Sequence, residues 1–331
     1  MQHDDDNDDD DTIRARRATR PITLNARAKT APPGELNKVL DGRYELLHEV
    51  GRGGMSIVHA GRDRLLERTV AIKMLNVELT ESAHAERLRR EAAAMARIDS
   101  PHVVSIHDIG LGAGGMYLVM QYIHGSTIEQ EIERFGTAEP ARAVRIALDI
   151  LAGLTAVHSC GFVHRDLKPS NVMLDRDDRA VLLDLGVALH RRKAPMTPPG
   201  ISTGTPEFMA PEQLDTGSGA LDGRTDLYQL GRILVYVSTG LDAESDIPAG
   251  LARMPKALAR VARQALAPLG MRYSSTEQMR AALLGAEQEL QRGDDVVTEQ
   301  IAVVPPPPPP RRQWRTWPVI LASIATLFNL S

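Results

Sequence analysis

From Tyr44 to Met120 the chain sets short apolar runs between polar breaks, the pattern of half-buried strands: Tyr44 to Val50, Ser56 to His59, Val70 to Leu75 and Tyr117 to Met120. A single helical stretch, about Ser82 to Ile98, interrupts them. After Thr127 the period lengthens. Between Ala141 and His158 apolar residues fall at Val144, Ala147, Leu148, Leu151, Leu154 and Val157, the spacing of one helix face. Strands followed by helices predict an α+β, bilobal chain: a small sheet lobe (about 44–122), a larger helical lobe (about 123–285) and a cleft between them.

Composition sets this region apart from its flanks. Residues 1–11 are mostly Asp and residues 12–33 are rich in Arg, Thr and Pro, so the tail 1–43 has too little apolar surface to offset ordering entropy and is expected to be disordered. On the other side, residues 286–317 form a polar and then Pro-rich linker. Its run Pro305 to Pro310 is a stiff spacer of about 19 Å at ~3.1 Å per residue. Beyond Arg311, Arg312 and Arg315 comes the uncharged apolar piece Trp317 to Leu330, within 318–331 a candidate membrane anchor with its arginines on the cytoplasmic side. As a helix it reaches only about 21 Å against a hydrocarbon core of ~30 Å, and a docked or interfacial C-terminal helix is the other reading.

The 331 residues, 43% hydrophobic, suffice for a substantial core. A net charge of -4 gives no basic footprint for nucleic acid, so no DNA or RNA partner is expected. The single cysteine, Cys160, builds no internal disulfide, and the N-terminus lacks the charged-then-apolar order of a secretory signal. From both, the folded region is expected in the cytoplasm.

The chemistry concentrates at His164-Arg165-Asp166-Leu167-Lys168-Pro169-Ser170-Asn171. One short loop holds a carboxylate to accept or orient a hydroxyl proton (Asp166), an ammonium to neutralise a transferring phosphate (Lys168) and an amide to hold a metal ion (Asn171). Asp184-Leu185-Gly186 follows the apolar run Ala180 to Leu183, although Asp-x-Gly alone is commonly just a turn. Upstream, Gly51-Arg52-Gly53-Gly54-Met55-Ser56-Ile57-Val58 follows the first strand. A dinucleotide-binding turn would open a helix there. Ile57, Val58 and His59 favour a strand instead, so the glycines predict a hairpin lid whose backbone approaches phosphates closely. Val70-Ala71-Ile72-Lys73 places a lysine on an apolar strand, where the plain alternative is a snorkelling surface residue. Glu91 shares a helix face with Leu88, Ala92 and Met95 and is placed to pair with Lys73; the alternative is a solvated face with Glu86, Arg87, Arg89 and Arg90.

In their order and spacing these motifs resemble the core of eukaryotic-type protein kinases, the bacterial (Hanks-type) serine/threonine protein kinases in particular, over roughly Tyr44 to Leu284. The resemblance implies transfer of the γ-phosphoryl of Mg-ATP to Ser or Thr of protein substrates, with Lys168 marking the Ser/Thr class. It implies that Gly51, Arg52, Gly53, Gly54, Met55 and Ser56 cover the phosphates and that Lys73, held by Glu91, contacts them. Adenine would lie between Val58 and Ala71 above and Met173 below, with Met120 at the back of the pocket and the backbone of Gln121 to Ile123 hydrogen-bonding it. Asn171 and Asp184 would hold Mg2+, and Thr205 would contact the catalytic Asp166 and Lys168. Ala210-Pro211-Glu212 resembles the end of an activation segment, with Arg272 as the cation for Glu212, and Asp226 resembles the carboxylate that braces the catalytic loop.

Ser56 stands where the family has glycine, Leu185 where it usually has Phe, and the Pro-Phe turn after Gly240 is missing, which leaves the docking surface for protein substrates open. Ser202 and Thr203 are the expected autophosphorylation sites, with Arg165 placed to pair with the phosphate; unmodified loop hydroxyls are the alternative. Thr12, Thr19 and Thr23 are further candidates, implying phosphothreonine-binding proteins and a cognate phosphatase as partners in bacterial signal transduction. A nucleotide-responsive scaffold would not need Lys73, Asp166, Asn171 and Asp184 together. A small-molecule kinase would have no use for Thr203, Thr205 and Ala210-Pro211-Glu212.

Overall fold

The computed structural model describes residues 38–52, 56–75, 90, 92–112, 115–184, 208–214, 221–241 and 247–293. The small lobe is an antiparallel sheet of β1 (Val39–Leu40), β2 (Tyr44–Arg52), β3 (Ser56–Asp63), β4 (Arg68–Leu75), β5 (Ile106–Gly112) and β6 (Gly115–Gln121), in the order β1-β2-β3-β4-β6-β5. Tyr44, Leu46, Val70, Ile72, Tyr117 and Val119 form its core, joined by Leu40. On three of the four expected strands, β2, β4 and β6, apolar residues two apart bury this face, whereas Ser56 to His59 on β3 are only half-buried.

Two further strands escape that pattern. β1 is too short to alternate, yet it pairs Leu40 with Tyr44 and buries Leu40, so the fold starts before Tyr44. β5 carries Asp108 and Gly110, residues that read as a break. Tertiary contacts require both. The Tyr44 hydroxyl donates to Asp108 Oδ2 at 2.5 Å, and the Tyr117 ring fills the space a Cβ at Gly110 would need, 2.0 Å from its Cζ. At the same end of β2, Arg43 grips the fully buried Asp63 through Nε and Nη2 at 2.9 and 2.8 Å.

In the large lobe β7 (Gly125–Thr127), β8 (Val172–Asp175) and β9 (Ala180–Leu182) form a small antiparallel sheet in that order. Helix α1 (Ile128–Phe135) starts on a capping box in which Thr127 and Gln130 satisfy each other's backbone amides. Helix α2 (Pro140–Ser159) matches the expected period, and its Val144, Ala147, Leu151, Leu154 and Val157 are buried. It packs with α4 (Gly223–Thr239), whose Leu227, Leu230, Ile233 and Leu234 share the same core. The short α3 (Pro211–Leu214) precedes it, and α5 (Ile247–Arg253), α6 (Lys256–Ala265) and α7 (Thr276–Arg292) complete the lobe. Helix α7 passes through Gly285, expected as the domain end, buries Ala286 and stops at Gly293 in the left-handed region, φ 72°. Gly285 faces open space and does not break the helix, whereas Gly293 has the backbone of a terminator.

The lobes are joined beside β9. Val104 N–H donates to Leu182 O and Leu182 N–H to His102 O, both at 2.9 Å, so the segment after the helical residues 92–95 runs alongside β9. Ala92, Val104, Leu118, Met120 and Val181 pack around that junction. The acidic tail, most of the helix expected from Ser82, the run Pro305 to Pro310 and the apolar segment from Trp317 lie outside the described residues. No described helix is long and apolar enough to cross a membrane.

The Arg43 hydrogen bonds, opposed by burial and aided by the Leu66 and Leu65 amides, hold the Asp63 carboxyl at about 2 against an ordinary 3.8. A depressed folded pKa contributes stability that is complete above 3.8 and is lost as pH falls toward about 2. Urea midpoints measured across that window should fall less steeply for Asp63→Asn than for the wild type.

Candidate active site

The loop after α2 carries His164 to Asn171, and its shape is imposed from below. Asp226, fully buried near the start of α4, accepts the backbone N–H of His164 on Oδ2 at 2.9 Å and that of Arg165 on Oδ1 at 2.8 Å. His158 Nε2, at the end of α2, is 2.8 Å from the same Oδ2. Arg165 is thereby held at φ 64°, a region that residues with a Cβ rarely adopt. The chain turns upward there and presents Asp166.

Around Asp166 the side chains converge. Lys168 Nζ lies 3.2 Å from Asp166 Oδ2, and Asn171 Nδ2 donates both to Asp166 Oδ2 at 3.0 Å and to its carbonyl at 2.8 Å. Asn171 sits in a short 3-10 turn, Pro169–Asn171, leading into β8. The end of β9 is tied to this loop twice. Leu183 N–H donates to Asn171 O at 2.8 Å, and Leu183 O meets His164 Nε2 at 2.9 Å. Asp184 follows at φ 56°.

Asp184 then meets the other lobe. Lys73 on β4 is buried, and its Nζ contacts Asp184 Oδ1 at 2.5 Å. The expected partner, Glu91, lies outside the described residues, as do Gly53, Gly54, Met55, Leu185, Ser202, Thr203 and Thr205. Gly51 and Arg52 on β2 pair with Val58 and Ile57 on β3, so the glycine-rich stretch joins two antiparallel strands and opens no helix. Ser56 lies opposite Leu75. Arg52 hydrogen-bonds Glu49, at 3.0 Å through Nε.

The residues expected around adenine fall on four strands. Val58 lies opposite Lys73, and Ala71 lies between Ala60 and Met120. Val58, Ala71 and Met173 are half-buried, Met120 is buried, and Ala71 and Ile123 pack against the junction cluster. The N–H of Gln121 is already donated to Ser105 O at 2.9 Å.

Behind the loop, Arg272 forks onto Glu212 with Nη1 to Oε1 at 2.6 Å and Nη2 to Oε2 at 2.9 Å, while the Thr225 hydroxyl adds a bond of 3.0 Å. The guanidinium also donates to Ala267 O at 2.7 Å and lies 4.6 Å over the Tyr228 ring. Burial is the largest single influence and pushes the Glu212 carboxyl up, but the Arg272 hydrogen bonds and charge, with the backbone and Thr225 bonds, together hold it below its ordinary value. Arg165 has its Nε buried with no hydrogen-bond partner among the described residues.

Sequence reasoning missed His158, Gln213 and Gln229, all of which bond the catalytic loop or its brace. A glutamine on a helix reads as solvated, and only the packing shows Gln229 buried.

The fold and this constellation are those of a protein kinase. The protein kinase domain family matches residues 44–246, and the chain belongs to it. Among relatives it is similar to the serine/threonine-protein kinase PksC of Streptomyces coelicolor, 38% identical over 69% of this chain and 42% of the relative. PknH of Mycobacterium bovis is 38% identical over 60% of this chain and 33% of its own length. The probable serine/threonine-protein kinase pknA2 of Bifidobacterium longum is 34% identical over 65% of this chain and 29% of its own. The match thus spans less than half the length of each of these relatives.

Replacing Arg272 with Met leaves Glu212 buried without its cation. Stability should fall by about 3–5 kcal/mol. Urea unfolding checks this, and the double variant Arg272→Met with Glu212→Gln should recover part of the loss.

Proposed function

We propose that this chain is a serine/threonine protein kinase that transfers the γ-phosphoryl of ATP to Ser or Thr hydroxyls of proteins, with Mg2+ as its cation. The observation that carries the reading is the meeting of Asp166, Lys168 and Asn171 in one hydrogen-bonded group, to which Leu183 ties Asp184 and, through it, Lys73.

The donor set fits a hard cation. Asn171 has its Nδ2 committed to Asp166, which leaves its amide oxygen to serve, with the Asp184 carboxylate, as an oxygen ligand. Among the described residues no cluster of three or more His, Cys, Asp or Glu could hold a metal, so the remaining ligands would come from phosphate and water, the mode Mg2+ favours. Bound there, Mg2+ supplies positive charge to the phosphate oxygens.

The chain's own residues do the rest. Asp166 accepts the proton of the acceptor hydroxyl as its oxygen bonds to the γ-phosphorus and the bond to the β–γ bridging oxygen breaks, leaving ADP. Lys168, next to Asp166, stabilises charge on the transferring group, and Thr205 helps orient the pair. Lys73 exchanges Asp184 for the α and β phosphates, with Glu91 to steady it. Gly51 to Ser56 close over the phosphates. Val58, Ala71, Met120 and Met173 enclose adenine while the backbone of Gln121 to Ile123 binds its edge. Most of the rate enhancement is positioning and electrostatic stabilisation.

Ser202 and Thr203 are proposed as autophosphorylation sites, and the buried Nε of Arg165, without a partner among the described residues, supports a phosphate-pairing role for that side chain. Phosphorylated threonines in the tail would recruit phosphothreonine-binding proteins and call for a phosphatase. The Trp317 to Leu330 segment, with its upstream arginines, is proposed as a tether to the inner face of a membrane.

With radiolabelled ATP and Mg2+, transfer by Asp166→Asn should be about 10²–10⁴-fold slower than by the wild type. Equal signals would overturn the kinase reading. Mass spectrometry of the autophosphorylated wild type should place phosphate on Ser202 or Thr203, and its absence from residues 195–203 would remove the activation-loop sites.

A further inference from the structure

Two glutamines hold the backbone on both sides of Asp166. Gln229, on α4 and 1% exposed, accepts the N–H of Leu167 on Oε1 at 3.1 Å, and its Nε2 donates to Arg165 O at 3.2 Å and to Gln213 Oε1 at 3.0 Å. Gln213, on α3, donates from Nε2 to the same Arg165 O at 2.8 Å and accepts Ala210 N–H on Oε1 at 2.9 Å. The amide orientations follow from partners of fixed polarity: Leu167 and Ala210 offer N–H groups, and Arg165 offers a carbonyl.

We propose that Gln213 and Gln229 are positioning residues for phosphoryl transfer, a paired-amide clamp that fixes the backbone flanking Asp166 and ties it to the end of the segment at Ala210. The proposal rests on the reading of Asp166 as the catalytic carboxylate. Asp226 holds only N–H groups on the N-terminal side of Asp166, those of His164 and Arg165. The glutamines hold the complementary groups, the carbonyl of Arg165 and the N–H of Leu167. Arg165 is at φ 64°, so its peptide has a favourable relaxation available once its carbonyl is released. That relaxation would swing the following residue, Asp166. A buried amide is unfavourable without its hydrogen bonds, and an apolar side chain would serve α4 packing, already supplied by Leu227, Leu230, Ile233 and Leu234, equally well. What an apolar residue could not supply is the pair of bonds around Asp166.

The test is steady-state kinetics on Gln213→Met and Gln229→Met, side chains of similar length without the amide, with ATP and myelin basic protein as acceptor. The expected result is a kcat lower by about 10–100-fold, as a small misplacement of a reacting group produces, with the KM for ATP within about twofold of wild type. The double variant should be close to the worse single variant, because the amides act as one unit. Folding is verified by thermal melting. Should Gln229→Met not fold, Gln213→Met, at a half-buried position, decides alone. A kcat within about twofold of wild type in the folded variants, or a loss confined to the KM for ATP, overturns the proposal. Asp166→Asn in the same assay separates the two failures. If it matches the wild type, the kinase reading itself falls; if it is inactive while the glutamine variants keep their kcat, only the clamp falls.

Discussion

A carboxylate with no access to water organises this molecule. Asp226 lies wholly inside the large lobe, where an ionised group is strongly unfavourable unless hydrogen bonds replace its hydration. It finds them in two loop amides and the His158 imidazole. Such bonds to an ionised acceptor are roughly twice as strong as neutral ones, so the burial and the loop conformation require one another. Without the amides Asp226 would be stranded; without Asp226 the N–H side of Arg165, at φ 64°, would lose its anchor and only the glutamine bonds to its carbonyl would remain. The loop therefore behaves as part of the core and not as a surface connection.

The same turns of α4 serve a second and a third set of contacts. Thr225 reaches Glu212, Asp226 reaches His164 and Arg165, and Gln229 reaches Leu167, Arg165 and Gln213. Thr225 and Gln229, four residues apart, lie on one face of the helix with Asp226 beside them, so a single stretch of α4 serves all three sets. Arg272 closes the arrangement by forking onto Glu212 while its guanidinium lies over Tyr228 of the same helix. Glu212 and Asp166, though distant in the chain, are hung from one rigid helix.

Much of this was legible from spacing alone. The period changed where the sheet lobe gives way to the helical one, α2 was bounded to within a residue or two, and the strand after the glycine-rich stretch followed from Ile57, Val58 and His59. Asp226 and the Glu212–Arg272 pair were reached through family resemblance, and the geometry supplies their partners. What stayed hidden depends on neighbours distant in sequence. Asp108 is in a strand because Tyr44 and Arg43 need an acceptor there, and Gly110 because Tyr117 needs the room. Gln213 and Gln229 carry no local sign of burial, and Gly285 carries the look of a helix end without its backbone. Local pattern reports faces and periods; it does not report which polar group another element will require.

The contact between Lys73 and Asp184 differs in kind from all of these. It crosses between the lobes, and one of its carboxylate oxygens is held by a single ammonium, with Asp184 still about a third exposed. The groups around Asp166 are joined by several bonds each and anchored on α4, so they have little freedom to rearrange separately. Lys73 and Asp184 are joined by one ion pair whose two members have another use in the proposed reaction, the ammonium for phosphate and the carboxylate for a cation. Opposite charges held together suppress each other's field and compensate the burial of the lysine. In the proposed reaction, exchange of that pair for phosphate and cation would leave the groups around Asp166 where they stand, because their bonds run to one another and their loop hangs from α4.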